Sequence, residues 1–321
     1  MPTPTTVLVT GGCGYLGSQL IRDLARRLPR APVIRILDNM RQGQIQALLD
    51  LPAATYEFIE GDLLDPSVLR LALRGVDAVV HLAALVRTPL SFENPAWLEQ
   101  VNHWGTAQLV EACLDQEVTR LVFTSTAAVY GPDGPHREDG PCRPQGAYAQ
   151  SKLAAERVLL TARSRGLTPT ILRVGTLYGL APVTRYDAVV NRFTYLAGIR
   201  QPLTVYGDGQ QRRPVIHVRD AAAAVCHALQ TDLPRPIYNA VGATVSVLDI
   251  VAALRSIRPA TPVHFTEQDI RTHVSFAADP AALIATGWQR QVSLTAGMTE
   301  LLDHFQNIRR SLPTTPDLEE L

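Results

Sequence analysis

The chain has 321 residues, 46% apolar and 19% charged, the proportions of an ordinary soluble globular protein and enough for about two domains. Thirty basic residues balance thirty acidic ones, so no overall field exists to draw in nucleic acid or an acidic membrane surface. No run approaches the roughly 18 apolar residues of a membrane span. The first six residues lack the charge of a secretion signal, and the four cysteines show no CxxC or zinc spacing. Reduced thiols, no metal site and a cytoplasmic protein are therefore expected.

Thr6-Val-Leu-Val-Thr10 is a short β-branched run that predicts a central parallel strand. Gly11-Gly-Cys-Gly14-Tyr-Leu-Gly17 follows at once, and residues 15–28 have helical periodicity. Strand, glycine turn and helix in that order are what a dinucleotide site requires. Gly11 permits the tight turn, Gly14 a close approach to a diphosphate, and Gly17 close packing of helix on strand. The anion would sit on the unpaired N–H groups of the helix N-terminus. The second strand, 33–37, ends in Asp38, twenty-one residues after Gly17. An acidic residue there suits the ribose hydroxyls of NAD and repels the extra phosphate of NADP, although Arg41 stands close by.

A third strand over 56–60 runs into Gly61-Asp62-Leu63, and a fourth over 78–82 into Ala83-Ala84. His81 reads as a satisfied core histidine. Residues 94–115 predict one long helix containing Asn102, and 120–124 a fifth strand that delivers Thr126. Strands alternating with helices at this spacing imply a doubly wound parallel sheet, with its site at the strands' C-terminal ends.

Residues 147–165 predict a helix carrying Tyr148-Ala-Gln-Ser-Lys152. Lys152 is the only lysine among the thirty basic residues, which marks a position where a compact ammonium is needed and arginine does not serve. Positions i and i+4 share a helix face. A phenol titrates near roughly 10, and a neighbouring cation lowers that value, so the pair predicts a general base for a hydroxyl proton. A strand over 170–174 comes next, and from Gly175 the pattern loosens into loops, with a further strand over 237–240 and a helix over 246–255.

Thr10-Gly-Gly-Cys-Gly-Tyr-Leu-Gly17, Gly61-Asp62-Leu, His81-Leu-Ala-Ala84, Ser125-Thr-Ala-Ala-Val-Tyr-Gly131 and Tyr148xxxLys152 occur in that order. Together they resemble the extended short-chain dehydrogenase/reductase family, in particular its NAD-dependent nucleotide-sugar epimerases and dehydratases. The resemblance implies an α/β, Rossmann-type doubly wound sheet with a smaller C-terminal substrate-binding domain. It divides the chain into an NAD domain (1–175 plus about 215–242), a sugar-nucleotide domain (176–214 and 243–310) and a flexible tail (311–321).

It also implies roles. Gly11, Gly14, Tyr15 and Leu16 match the diphosphate loop, Asp38 and Asn39 the adenosine ribose contact, and Asp62 and Leu63 the adenine edge. Leu82, Ala83 and Ala84 match the nicotinamide-side loop, and Asn102 the family's helix contact. Thr126 matches the hydroxyl that bonds the substrate oxygen, Tyr148 the base and a cofactor contact, and Lys152 the activator of that base and the ribose anchor of the cofactor. Thr176, Arg185 and Arg213 fall where relatives hold the sugar and its diphosphate. A homodimer pairing the helices 94–115 and 147–165 is the implied assembly.

Departures from the motifs narrow the reaction. Sugar 4,6-dehydratases carry an Asp-Glu pair after the active-site threonine, whereas this chain has Ala127-Ala128. The remaining pattern resembles the 4-epimerases, which oxidise sugar C4 with NAD, turn the keto sugar over and reduce its other face. A UDP-sugar of the glucose/galactose or uronate type is the expected substrate, Arg185 being the candidate for a sugar carboxylate. A reductase or dehydrogenase of a keto sugar or other carbonyl, using the same Thr-Tyr-Lys site, is the alternative.

Overall fold

Short β-branched runs alternate with amphipathic stretches along the first half of the chain, and the computed structural model gathers those runs into one parallel sheet. It describes residues 3–28, 32–41, 44–86, 94–267 and 274–305. The strands are β1 (Thr6–Thr10), β2 (Val33–Asp38), β3 (Thr55–Glu60), β4 (Ala78–His81), β5 (Arg120–Thr126), β6 (Asp133–His136), β7 (Thr168–Val174), β8 (Thr176–Tyr178), β9 (Leu203–Tyr206), β10 (Arg212–His217), β11 (Ile237–Ala240), β12 (Ala243–Ser246), β13 (Val263–Thr266) and β14 (Phe276–Ala278). The helices are α1 (Tyr15–Arg27), α2 (Pro66–Ala72), α3 (Pro95–Glu99), α4 (Gly105–Asp115), α5 (Ala147–Ala162), α6 (Val189–Gly198), α7 (Val218–Gln230), α8 (Val247–Ile257), α9 (Ala281–Ile284) and α10 (Leu294–Asp303).

Seven strands form the main sheet in the order β11-β7-β5-β4-β1-β2-β3, all parallel. The chain leaves β1 for β2 on one side and later fills β4 on the other. The C-terminal ends of β1 and β4 therefore flank the switch point where open α/β sheets bind ligands. Val7, Leu8 and Val9 are fully buried, as a strand covered on both faces must be. Val7 and Val9 pack with α1 and α7, while Leu8 packs on the other side with α2, α4 and α5.

A separate apolar cluster, including Tyr178, Val190, Leu203, Ile250 and Met298, gathers α6, α8 and α10 around the smaller sheet β12-β10-β8. The stretch that reads as loose loops after Gly175 thus contains a helix. Its apolar residues Val189, Val190, Phe193 and Ala197 do recur at helical spacing, but Pro182 and Pro202 on either side mask it.

The long helix expected over 94–115 is interrupted. Between α3 and α4 lies a π turn, Gln100–Trp104, and Asn102 sits in it with 1% exposure. A π turn inserts an extra residue into the helix and re-aims the side chain it carries. The residues 311–321, read as a tail, lie outside the described residues.

Candidate active site

The glycine turn after β1 explains itself by contact. Gly11 has φ +72°, and a Cβ there would stand 2.6 Å from the Ala83 backbone nitrogen. Only glycine lets the turn after β1 lie against the loop after β4. At Gly17 a Cβ would come within 2.3 Å of the Gly11 carbonyl oxygen, so α1 can start this close to the turn only without a side chain. Helix α1 begins at Gly14 with no side-chain cap and no acidic residue in its first turn, which leaves its N-terminus suited to an anion. Gly17→Ala is accordingly expected to abolish measurable NAD binding by calorimetry, and to destabilise the fold by about 1–3 kcal/mol through overpacking.

Asp38 closes this end of the site. Its carboxylate accepts the Cys13 N–H at 2.9 Å and the Met40 N–H at 3.0 Å, which fixes its orientation at the edge of the turn. Beside it, Asn39 donates to Asp62 at 3.1 Å, and Arg41 reaches the same carboxylate at 3.3 Å while lying 5.2 Å from the Trp97 ring. Arg41 is thus held by Asp62 and Trp97. Asp38→Asn is expected to weaken NAD affinity by about 10- to 100-fold, the loss of a charged hydrogen-bonding partner, and to raise the NADP-to-NAD affinity ratio because the repulsion of a 2′-phosphate goes. Fluorescence titration with both cofactors checks it.

Leu16 and Leu63 are buried, and Leu63 packs against Gly105. Tyr15 spends its side chain elsewhere. Its hydroxyl donates to the Gly179 carbonyl at 2.5 Å and accepts from Asn191 Nδ2 at 3.0 Å. What Tyr15 presents to the glycine turn is its backbone. Asn191 also accepts the Gly179 N–H and donates to the Arg185 carbonyl, at 2.9 and 2.7 Å. It therefore ties the start of α1 to the loop that carries Arg185. Sequence reasoning missed Asn191 because it lies on the helix read as loop.

The catalytic candidates converge on the C-terminal end of β5. Thr126 ends that strand and accepts the Ala128 N–H at 3.2 Å, capping the short turn Ala127–Tyr130. Helix α5 lies alongside, with Lys152 Nζ 4.1 Å over the Phe123 ring of β5 and Glu156 accepting a hydrogen bond from Ser125. Tyr148 and Lys152 are one turn apart on α5.

Their charges differ from the sequence expectation. Burial pushes the Tyr148 phenol up to about 12, and the cation working against that shift is Arg185. Burial brings the Lys152 ammonium down to about 7, with the Glu156 carboxylate opposing. Arg185 is held bidentately by Asp187, at 3.0 and 2.5 Å. Burial thus favours the neutral form of both groups, against the pull of Arg185 on the phenol and of Glu156 on the ammonium.

Asn102 links the remaining pieces. Its Oδ1 accepts the Leu85 N–H at 2.8 Å, and its Nδ2 faces the Leu85 carbonyl at 3.2 Å and Ser151 Oγ at 3.1 Å. Ser151 in turn donates to the Tyr148 carbonyl at 2.9 Å. Leu82, Ala83 and Ala84 are half-buried between these anchors. Thr176 and Arg213 stand apart, on the smaller sheet. Thr176 pairs with Val215, two residues along β10 from Arg213, so the two share one face.

Among the described residues no helix is long and apolar enough to cross a membrane. Residues 7–240 match the NAD dependent epimerase/dehydratase family. A UDP-glucose 4-epimerase of Azospirillum brasilense is 36% identical over 242 residues, covering 70% of this chain and 68% of that protein. A dTDP-glucose 4,6-dehydratase of Streptomyces niveus is 31% identical over 246 residues, covering 74% and 73%. The crystal structure of Thermus thermophilus UDP-glucose 4-epimerase in complex with NAD superposes with a TM-score of 0.82 at 31% identity, covering 94% of this chain and 99% of that one. The uncapped α1, the glycine cradle and the oriented Asp38 fit a dinucleotide. The chain belongs to the NAD-dependent epimerase/dehydratase family.

Proposed function

We propose that the chain is a nucleotide-sugar 4-epimerase acting on a UDP-hexose of the glucose/galactose or uronate type. The observation that carries this reading is the turn after Thr126. Eliminating water from a sugar needs a second acid and base beside the group that handles the C4 hydroxyl. The turn is Ala127-Ala128-Val129-Tyr130 and offers no carboxyl. Thr126, Tyr148 and Lys152 are what the reaction has to work with, and an epimerisation asks for nothing more.

In this reading Thr126 orients the substrate oxygen and Tyr148 takes the C4 hydroxyl proton and later returns it. Lys152 and Arg185 stabilise the phenolate while it exists. Bound NAD supplies a hydride acceptor that is restored within each turnover. Gly11, Gly14, Asp38, Asn39, Asp62, Leu63 and the 82–84 loop hold that cofactor, and Asn102 keeps the loop in place. Thr176 and Arg213 hold the sugar nucleotide on the second apolar cluster, which makes 176–214 and 243–310 the substrate half. Arg185 would have to leave Asp187 to receive a uronate carboxylate. The same proposal includes a cytoplasmic homodimer paired through the faces of α4 and α5, where His103, Glu111, Arg157 and Arg165 line an open groove; sedimentation checks the assembly.

The test is an NMR time course with NAD and UDP-glucose, UDP-N-acetylglucosamine, UDP-glucuronate or dTDP-glucose, with the NADH absorbance followed in parallel. A C4 epimer forming without accumulated NADH is the expected result. A 4-keto-6-deoxy product overturns it in favour of a dehydratase. NADH rising in step with a new carbonyl overturns it in favour of a dehydrogenase.

A further inference from the structure

His81 is fully buried at the end of β4, directly across from Thr10 at the end of β1. Both ring nitrogens are engaged, Nδ1 with Thr10 Oγ1 at 2.7 Å and Nε2 with Thr106 Oγ1 at 3.0 Å. The contacts run on at either side. Thr106 Oγ1 donates to the Asn102 carbonyl at 2.6 Å, and Thr10 Oγ1 accepts the Ala83 N–H at 3.3 Å. Thr10, Thr106 and Asn102 are as buried as the ring.

The donors and acceptors can be assigned from one end. The Asn102 carbonyl can only accept, so the Thr106 hydrogen goes there. Thr106 oxygen must then accept, and Nε2 must carry the ring's hydrogen. Nδ1 is left bare and takes the Thr10 hydrogen, which leaves the Thr10 oxygen free to accept from Ala83. A single neutral tautomer satisfies every group. A second ring proton would face Thr10 and leave that hydroxyl's hydrogen without its acceptor. Burial, reinforced by the nearby Lys152 ammonium, brings the ring down to about 3, which keeps it in that neutral form.

The path closes on itself around the loop after β4. One end grips Ala83 through Thr10. The other reaches the π turn whose Asn102 grips both backbone groups of Leu85. We infer that His81 is a positioning residue: through Thr10 and Thr106 it fixes the distance between the Ala83 and Leu85 grips, and so sets the shape of the loop that lies beside the nicotinamide. The inference rests on the assignment of that loop to the cofactor, and it extends the role of His81 beyond filling the core.

The test uses the full chain and NAD itself as the probe. Thr106→Val removes the hydroxyl at constant shape, and His81→Phe removes both ring contacts. Each leaves buried partners unpaired, and is expected to weaken NAD binding by about 5- to 100-fold and to speed amide exchange at Ala83 and Leu85 beyond any change in global stability. Thr106→Ser, which keeps the hydroxyl, is expected to restore both. A variant that merely loosened the core would lower global stability without selecting these two amides, and serine would not rescue it. Folded Thr106→Val protein with wild-type NAD affinity and exchange overturns the inference. Failure of the wild-type protein to bind NAD would overturn instead the assignment of the loop.

Discussion

Tyr148→Phe is expected to lower kcat by about 10²- to 10⁴-fold, the usual worth of a positioned proton-transfer group, while leaving NAD affinity nearly unchanged. Steady-state rates beside a cofactor titration on the same preparation separate the two effects. Equal losses in rate and in NAD affinity would mean that the ring acts mainly by holding the cofactor.

The charge of Tyr148 and of Lys152 depends on their surroundings. Burial pushes the phenol up to about 12 against the pull of Arg185, and brings the Lys152 ammonium down to about 7 against that of Glu156. Because Lys152 is the sole lysine, protein labelled with isotopic lysine gives one ε-amine signal, and its titration can be read without assignment. The expected midpoint lies near neutrality, with the charged form below it and the neutral amine above. Glu156→Gln removes the carboxylate that raises Lys152, so the midpoint should move lower still. A midpoint at the ordinary lysine value would mean that Lys152 is more hydrated than its burial implies.

Much of this site was legible in the chain. The order of strand, glycine turn and helix pointed to Gly11, Gly17 and Asp38 as candidates, and spacing along one helix face pointed to Tyr148 and Lys152. What spacing could not show is which backbone a side chain meets. Tyr15 reads as part of the phosphate turn, yet its hydroxyl crosses to Gly179, a partner 164 residues away. Asn102 reads as part of an unbroken helix, and its role depends on a π turn that has no periodic signature. His81 looks like core because it is core, and only its partners reveal a second use. The cation facing Tyr148 is Arg185, brought in by a loop whose path no local pattern encodes. By contrast, Glu156 was within reach: the rule that pairs 148 with 152 points to it one turn further on.

Glu156 leads to the largest expected loss of stability. Its carboxylate is 1% exposed and meets Arg173, itself buried, at 2.7 Å to Nη2 and 3.1 and 3.2 Å to Nε. Ser125 donates to the same carboxylate, and the guanidinium lies 4.7 Å from the Tyr130 ring, whose hydroxyl bonds Asn239 Oδ1 at 2.7 Å. The pair therefore staples α5 to β5 and β7, and through Tyr130 to β11. Arg173→Met should cost about 3–5 kcal/mol in urea unfolding, because it leaves an uncompensated buried charge. Combining it with Glu156→Leu removes both charges, so the double variant should be more stable than Arg173→Met alone, a non-additivity expected of groups in contact. If the losses simply add, the ion pair contributes only through the volume it fills. Since Lys152 lies one turn above Glu156 on α5, the same carboxylate is needed both to hold the helix and to keep the ammonium charged.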